Sequence, residues 1–169
     1  SPTTKPVPGS ISADDKITYT YTFHDSAEQQ VKTKTTKYEL VSTGENGSGI
    51  AIERVEYYDT SGKPRWIKDG DGYVHYYAYH PDTGQLAYKV IDVDTSSLPS
   101  TITTGDPTDS NSDGIAYTDW SGGAGLTRAG GLPDALEIVS QWGYDDQGRL
   151  TQTIDGGGKT NYLVYEDNR

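Results

Sequence analysis

Apolar and polar residues alternate along much of the chain, beginning near residue 17. Ile17, Tyr19, Tyr21 and Phe23 are separated by threonines, and this period of two predicts a strand with one buried face. Similar runs of β-favouring residues predict eight more strands, at 31–41, 50–58, 64–68, 73–79, 86–92, 136–144, 150–154 and 160–165. Segment 132–139 fits a short helix, although its last residues fit a strand equally well. The pattern as a whole predicts an all-β chain.

An internal repeat is the strongest signal in the sequence. Residues 58–79 align with residues 144–165 at a constant offset of 86, without a gap. Each copy carries Asp-x-x-Gly twice, ten residues apart, and a weaker third copy with one inserted residue begins at Tyr79. The alignment superposes eight identities: Tyr58 on Tyr144, Asp59 on Asp145, Gly62 on Gly148, Asp69 on Asp155, Gly70 on Gly156, Gly72 on Gly158, Tyr76 on Tyr162 and Tyr79 on Tyr165.

The spacing of aspartate and glycine has a mechanical interpretation. The Asp side chain accepts hydrogen bonds from the backbone ahead of it, which stabilises a type I turn, and the Gly takes the left-handed conformation that closes a hairpin with a bulge. About seven residues, or roughly 23 Å of strand, lie between successive turns. One such hairpin buries too little to be stable alone. The sequence therefore predicts stacked antiparallel β-hairpins in a meander.

These motifs resemble the YD repeat of Rhs proteins. The segment 144–150, Tyr-Asp-Asp-Gln-Gly-Arg-Leu, is followed by Asp-x-x-Gly at 155–158, and the resemblance covers residues 53–92 and 141–169. The first copy departs from the pattern with Lys63-Pro64 in place of Arg-Leu, and the third has His80 in place of Asp. The resemblance implies a β-sheet that spirals into a large hollow shell, as in bacterial toxins and teneurin-like surface proteins. It also implies repeats associated with carbohydrate binding, and it supplies no catalytic residue.

The chain divides into a linker-like terminus and a repeat region. Residues 1–15 are rich in Pro, Ser and Thr, which predicts a flexible linker, and residues 16–169 are expected to form a single β-repeat domain. The repeat units lie near 53–92 and 141–169, with a long irregular insertion at 93–131. Because Ser1 is neither an initiator Met nor part of a signal peptide, we expect a segment of a longer protein.

Composition narrows the classes of partner. Only 32% of the 169 residues are hydrophobic, yet 14 are Tyr and 3 are Trp, which suits half-buried sheet surfaces. The net charge of −11 repels phosphate backbones and anionic lipid headgroups, so we expect neither nucleic acid nor membrane surfaces as partners. No apolar run is long enough for membrane insertion. The lack of Cys excludes disulfides, thiol catalysis and Cys-ligated metals.

The insertion contains one motif with metal-binding chemistry. Asp109, Asn111 and Asp113 stand at alternate positions before a Gly, like the opening of an oxygen-ligand calcium loop. The twelfth position, where an EF-hand has Glu, is Trp120, and no helices flank the loop. Calcium binding and a plain solvated loop therefore both remain open, and no other cofactor is indicated.

Neither a catalytic constellation nor a phosphate loop stands out in the sequence. The histidines fit turns and an exposed strand face, and paired acids are expected by coincidence in a chain with 25 acidic residues. We therefore expect no enzyme but a structural or interaction scaffold, part of a large secreted or cell-surface Rhs/YD-repeat protein, whose partners are its neighbouring repeats. The alternative is a carbohydrate-binding adhesion module, with or without calcium assistance, in which Trp66, Tyr73 and Trp120 contact glycans.

Overall fold

The computed structural model describes residues 16–25, 27, 29–80, 82–95 and 127–166. Within them the chain forms nine strands and no α-helix, which confirms the predicted all-β class. A 3₁₀ turn, Thr43–Glu45, lies between the second and third strands. None of the described residues forms a helix that is long and apolar enough to span a membrane. The strands are β1 (Thr18–Phe23), β2 (Val31–Lys37), β3 (Glu53–Tyr58), β4 (Pro64–Lys68), β5 (Val74–Tyr79), β6 (Leu86–Ile91), β7 (Ile138–Tyr144), β8 (Leu150–Ile154) and β9 (Thr160–Tyr162).

The strands form one sheet in which spatial order equals chain order. Each strand pairs antiparallel with the one before it, from β1 to β9, so the predicted meander is confirmed, with its hairpins side by side in one sheet. β6 and β7 are neighbours even though the insertion separates them in sequence. Ile138 and Val139 belong to β7, which decides between the helix and the strand in favour of the strand.

Four Asp-x-x-Gly turns have the same geometry. In each, Oδ1 of the aspartate accepts hydrogen bonds from the backbone N–H groups two and four residues ahead, at 2.8–3.1 Å. The glycine has φ between 76° and 93°, a conformation that costs a residue with a Cβ. The turn predicted from the sequence is therefore confirmed at Asp59–Gly62, Asp69–Gly72, Asp145–Gly148 and Asp155–Gly158.

The third copy closes its turn with one extra residue. Its glycine, Gly84, also has a positive φ of 68°, but its N–H donates to the carbonyl of His80, four residues back, at 2.7 Å. A β-bulge adjoins this turn next to Tyr79, and equivalent bulges occur at Tyr58 and Tyr144. The aromatic residue before each of these turns thus marks the point where the strand register shifts.

Tyrosine hydroxyls form hydrogen bonds between neighbouring hairpins at the ends of the strands. Tyr79 donates a hydrogen bond to the carbonyl oxygen of Pro64 at 3.0 Å, and Tyr165 donates one to the carbonyl oxygen of Leu150 at 2.9 Å. Both donor and acceptor are displaced by the repeat offset of 86 residues. The two copies are therefore equivalent in their tertiary contacts as well as in their turns.

A second glycine of the repeat, Gly70 or Gly156, is explained by an isoleucine side chain from outside the turn. A Cβ at Gly70 would overlap Cγ2 of Ile52, and a Cβ at Gly156 would overlap Cγ2 of Ile138. The two isoleucines are themselves 86 residues apart. A side chain at the glycine position would therefore collide in both copies with an isoleucine at the start of the neighbouring strand, either just before β3 or as the first residue of β7.

The core lies on one face of β3 to β6. Tyr57, Trp66, Tyr76 and Val90 stand directly opposite one another across these strands, and each is at most 2% exposed. The rings of Trp66 and Tyr76 are 4.3 Å apart between centroids, tilted by 46°. Burial of these three aromatic rings and Val90 provides apolar stabilisation of the sheet.

Candidate functional site

Polar side chains converge where the insertion leaves and rejoins the sheet. We call this cluster the insertion base; it consists of Asp69, Tyr73, His75, Asp92 and Arg128. Arg128 makes a bidentate ion pair with Asp92, with Nε to Oδ1 at 2.7 Å and Nη2 to Oδ2 at 3.2 Å. This ion pair joins the end of the insertion to the first residue after β6.

The two ends of the insertion are also joined by backbone contacts. The N–H of Arg128 donates to Oγ1 of Thr95 at 3.1 Å, and the N–H of Ala129 donates to the carbonyl of Gly72 at 3.0 Å. The N–H of Glu137 donates to the carbonyl of Asp92 at 3.1 Å. The insertion therefore starts and ends at one point, which keeps β6 and β7 adjacent.

His75 links the turn to the insertion base through both ring nitrogens. Nδ1 faces the backbone N–H of Asp92 at 3.3 Å and must accept its hydrogen, so Nε2 carries the ring hydrogen and donates to Oδ2 of Asp69 at 3.1 Å. A histidine paired with a carboxylate resembles the base of a hydrolase. Here neither nitrogen is open to a substrate, because the backbone occupies the one that would accept a proton.

Asp92 is the charged centre of the insertion base. It is 3% exposed and has φ of 57°, unusual for a residue other than glycine. Burial by itself would raise the pKa of its carboxyl, but hydrogen bonds from Arg128 and from the N–H of Leu136, the latter at 3.0 Å, outweigh it and hold the pKa below its ordinary value. The carboxylate is thus kept ionised and fixed in place.

Tyr73, predicted as a glycan contact, lies in the insertion base. Its ring is half-buried, and the guanidinium of Arg128 stands 5.4 Å from the ring centroid. Its backbone N–H donates to Asp69 at 2.9 Å as part of the turn. In this arrangement the ring contacts a cation of the same chain.

Trp66 corrects one prediction from the sequence. Its replacement by Gln152 in the other copy predicts an indole that is available for glycan stacking. The side chain is instead 1% exposed and packs on Tyr76 in the core. A buried ring offers no face to a sugar, so Trp66 contributes to stability and cannot be a surface contact in this structure.

The remaining predicted site residues lie outside the described residues. These are Trp120 and the calcium-loop candidates Asp109, Asn111 and Asp113. Within the part of the chain that the structure describes, no group of three or more His, Asp or Glu side chains is placed to hold a metal ion.

A groove whose lining is suited to binding a sugar lies between the β1–β2 and β3–β4 turns. It has a volume of about 400 Å³ and is lined by Tyr21, Tyr58, Lys34, Gln29, Gln30 and Ser61. Tyr21 is 46% exposed, so its ring is accessible. Lys34 is paired with Glu56 at 3.1 Å, which neutralises the lysine of the lining. The sequence does not single out this groove, because its residues come from separate hairpins.

Arg128 and Asp92 also escape prediction from the sequence. They are 36 residues apart and neither belongs to a recognisable motif; the weak signal is an acid at the end of a strand, like Asp69 and Asp155.

No family model matches the chain, and a search of curated proteins gave no match.

Proposed function

We propose that this chain is a non-catalytic structural and interaction scaffold, a segment of the wall of a large secreted or cell-surface protein of the Rhs/YD-repeat type. The observation that carries the proposal is the equivalence of the two copies. The turn, the bulge and the tyrosine hydrogen bond recur at the same offset. The repeat is therefore a unit that can extend the sheet when further copies are added next to it.

The shape of the sheet supports the same role. Strands are added in chain order, and β1 and β9 each have a neighbour on one side among the described strands. Their outer edges carry backbone groups that further repeats of the parent protein would satisfy. The polar groups of the insertion base are engaged with one another, which fits a structural junction and not a reaction centre.

A tandem fusion of two copies of the chain tests propagation. If the unit extends a sheet, β1 of the second copy pairs with β9 of the first, and the amides of Thr160–Tyr162 exchange their hydrogens more slowly than in the single chain. A fusion in which the second copy carries Thr20→Pro in β1 is the matched control, because proline removes a ladder donor. Equal exchange in the fusion and the single chain would contradict the proposal.

A carbohydrate-binding adhesion module is the second candidate, and the Tyr21–Tyr58 groove is the observation that favours it. Tyrosine rings can stack on the apolar faces of pyranose rings, while glutamine amides and a serine hydroxyl bind their hydroxyls. Calorimetric titration with neutral oligosaccharides tests this, with Tyr21→Ala expected to abolish binding. Tyr19→Ala is the control, since that exposed tyrosine does not line the groove. Heat of binding that persists in Tyr21→Ala would reject the groove.

Calcium assistance belongs to this second candidate and would involve Asp109, Asn111 and Asp113. A ligand that binds only the folded state raises its stability. The expected result is a higher melting temperature in calcium than in chelator, and this difference should vanish when Asp109→Ala and Asp113→Ala are combined. An unchanged melting temperature in the wild-type chain would remove calcium from the proposal.

A further inference from the structure

One of the facing pairs that differ between the two copies of the repeat lies in the core of the first copy. In the first copy Tyr57 stands opposite Trp66, and in the second copy Gly143 stands opposite Gln152. Both positions are displaced by the offset of 86 residues, and both pairs adjoin the same kind of bulge. The first pair is buried, with Tyr57 0% and Trp66 1% exposed. The second copy therefore lacks the two aromatic rings that fill this position in the first.

A cavity occupies the position where the rings are missing. It has a volume of about 310 Å³ and is lined by Gly143, Gln152, Gln141, Tyr88, Trp142 and Ile154, with His80 and Ala87 also contributing. This is the lower end of the size range of small-ligand sites. Tyr162, the counterpart of the buried Tyr76, pairs with Gln152 and is 74% exposed. The face that forms the core in the first copy is thus open in the second.

Gly143 is not required by the backbone at this position. Its φ is not positive, so a side chain there would meet no conformational penalty of the kind found in the turns. A Cβ added to it would lie 3.3 Å from Cβ and Oε1 of Gln152, close enough to narrow the cavity. The effect of this glycine is therefore to leave space.

The residues that line the cavity are suited to an aromatic ring that carries one hydrogen-bonding group. Tyr88 and Ile154 provide apolar surface, while the amides of Gln141 and Gln152 can donate and accept hydrogen bonds. Among the described residues, no Asp, Glu, Lys or Arg side chain lines the cavity. Tyrosine and tryptophan combine an apolar ring with one hydrogen-bonding group. The first copy places a tyrosine ring at the equivalent point.

We propose that this cavity is a docking site for a single Tyr or Trp side chain of a partner polypeptide. The partner would supply in trans the ring that Tyr57 supplies in the first copy. The net charge of −11 favours a partner with basic residues beside the aromatic one, because opposite charge accelerates encounter. This goes beyond a scaffold role, since a wall does not need an open core position.

The test uses the full chain and the peptide Lys-Gly-Tyr-Gly-Lys, with Lys-Gly-Ala-Gly-Lys as the matched control. Trp142 lines the cavity, so selectively excited tryptophan fluorescence should change with the tyrosine peptide and not with the alanine peptide. The change should disappear in Trp142→Phe and persist in Trp66→Phe. Loss in the second variant instead would place the signal in the first repeat and overturn the proposal.

The most direct variant restores the first copy's pair with Gly143→Tyr and Gln152→Trp. It should fill the cavity and weaken binding of the tyrosine peptide by about tenfold or more, because an aromatic anchor provides much of the energy of such an interface. Circular dichroism and melting temperature check its fold, and Gly143→Ala, a smaller change, replaces it if it does not fold.

Three further outcomes would overturn the proposal. The first is equal binding of the tyrosine and alanine peptides, and the second is unchanged binding to a folded, filled variant. The third is a response to a neutral disaccharide such as cellobiose that exceeds the response to the peptide, which would make the cavity a sugar site. The tandem-fusion experiment is independent of all three.

Discussion

Tyr144 donates a hydrogen bond from its hydroxyl to the carbonyl oxygen of Leu86, 58 residues earlier in the chain, at 3.0 Å. It is the same contact that Tyr79 makes to Pro64 within the first copy. The bond therefore joins hairpins in the same way whether a tight turn or the whole insertion lies between them. Spatial order in the sheet, and not distance along the chain, determines which tyrosine meets which carbonyl.

The tyrosine hydrogen bond predicts sensitivity to alkaline pH. Burial, opposed in part by Arg65, raises the pKa of Tyr79 to about 12. The folded state holds the hydroxyl proton of Tyr79 more tightly than the unfolded state does. The resulting contribution to the free energy of unfolding is therefore complete below about pH 10 and is lost as pH rises towards 12. Tyr79→Phe should cost about 1 kcal/mol at neutral pH and reduce the alkaline loss.

Denaturant unfolding at neutral pH and between about pH 10 and 12 measures both effects. Tyr19→Phe is the control, because that tyrosine is 55% exposed and should behave like the wild type. An alkaline loss of stability in Tyr79→Phe as steep as in the wild type would contradict the prediction.

The turn aspartates should contribute more to stability than their exposed neighbours. Asp59 is 5% exposed and its Oδ1 accepts two backbone hydrogen bonds, each at 2.9 Å. Asp59→Ala should therefore destabilise the chain by about 1–2 kcal/mol, and Asp59→Asn, which keeps an acceptor oxygen, by less. Asp71→Ala is the control, since its side chain is exposed. Equal melting temperatures for the alanine variants at 59 and 71 would refute this view of the turn.

The contact between Gly70 and Ile52 predicts that a second substitution restores part of the stability lost by the first. Gly70→Ala should cost about 1–2 kcal/mol, because its Cβ would overlap Ile52. Ile52→Ala should relieve the overlap, so the double variant is more stable than the sum of the single changes predicts. Gly157→Ala, whose Cβ would meet its nearest atom, Oδ1 of Asp155, at an ordinary 3.4 Å, is the tolerated control. Strict additivity in thermal unfolding would argue against the contact.

The insertion base predicts acid sensitivity. Because the folded state lowers the pKa of Asp92, its contribution is present above about pH 4 and is lost as pH falls through the lower folded value. Asp92→Ala should cost about 2–3 kcal/mol at neutral pH, since it leaves Arg128 and the N–H of Leu136 without this acceptor.

Asp92→Asn separates charge from hydrogen bonding in the same experiment. The amide oxygen can still accept from Leu136, but the ion pair is gone, so an intermediate loss and a flatter acid profile are expected. Urea unfolding between about pH 3 and 7 provides the measurement. Acid profiles of the asparagine variant and the wild type that run parallel would exclude Asp92 as the source.

Local patterns predict most of the fold. Alternation of tyrosine and threonine, and aspartate followed three residues later by glycine, act within one strand or turn, so they can be recognised without tertiary information. The offset of 86 residues also identifies Gly70 and Gly156 as equivalent. It does not indicate that Ile52 and Ile138 are the reason, because they contact the turn from another part of the sheet.

The site is harder to predict, for reasons visible at Trp66. Its replacement by Gln152 in the second copy suggests freedom from packing, whereas the two copies differ in how they fill their core. Arg128 and Asp92 are 36 residues apart and meet where the neighbouring strands β6 and β7 bring the ends of the insertion together. A pairing that depends on sheet topology leaves no spacing signal in the chain.

The agreement between chain order and spatial order has a consequence for how this sheet is assembled. The partner of each strand is the strand immediately before it in the chain, so the polypeptide can add strands one by one during synthesis. The step from β6 to β7 is the exception, because the insertion separates these strands in sequence. Its ends must come together, at a cost in chain entropy, before β6–β7 hydrogen bonds can form. Asp92 and Arg128 hold the described ends of the insertion together, so we expect this ion pair to affect the rate of folding.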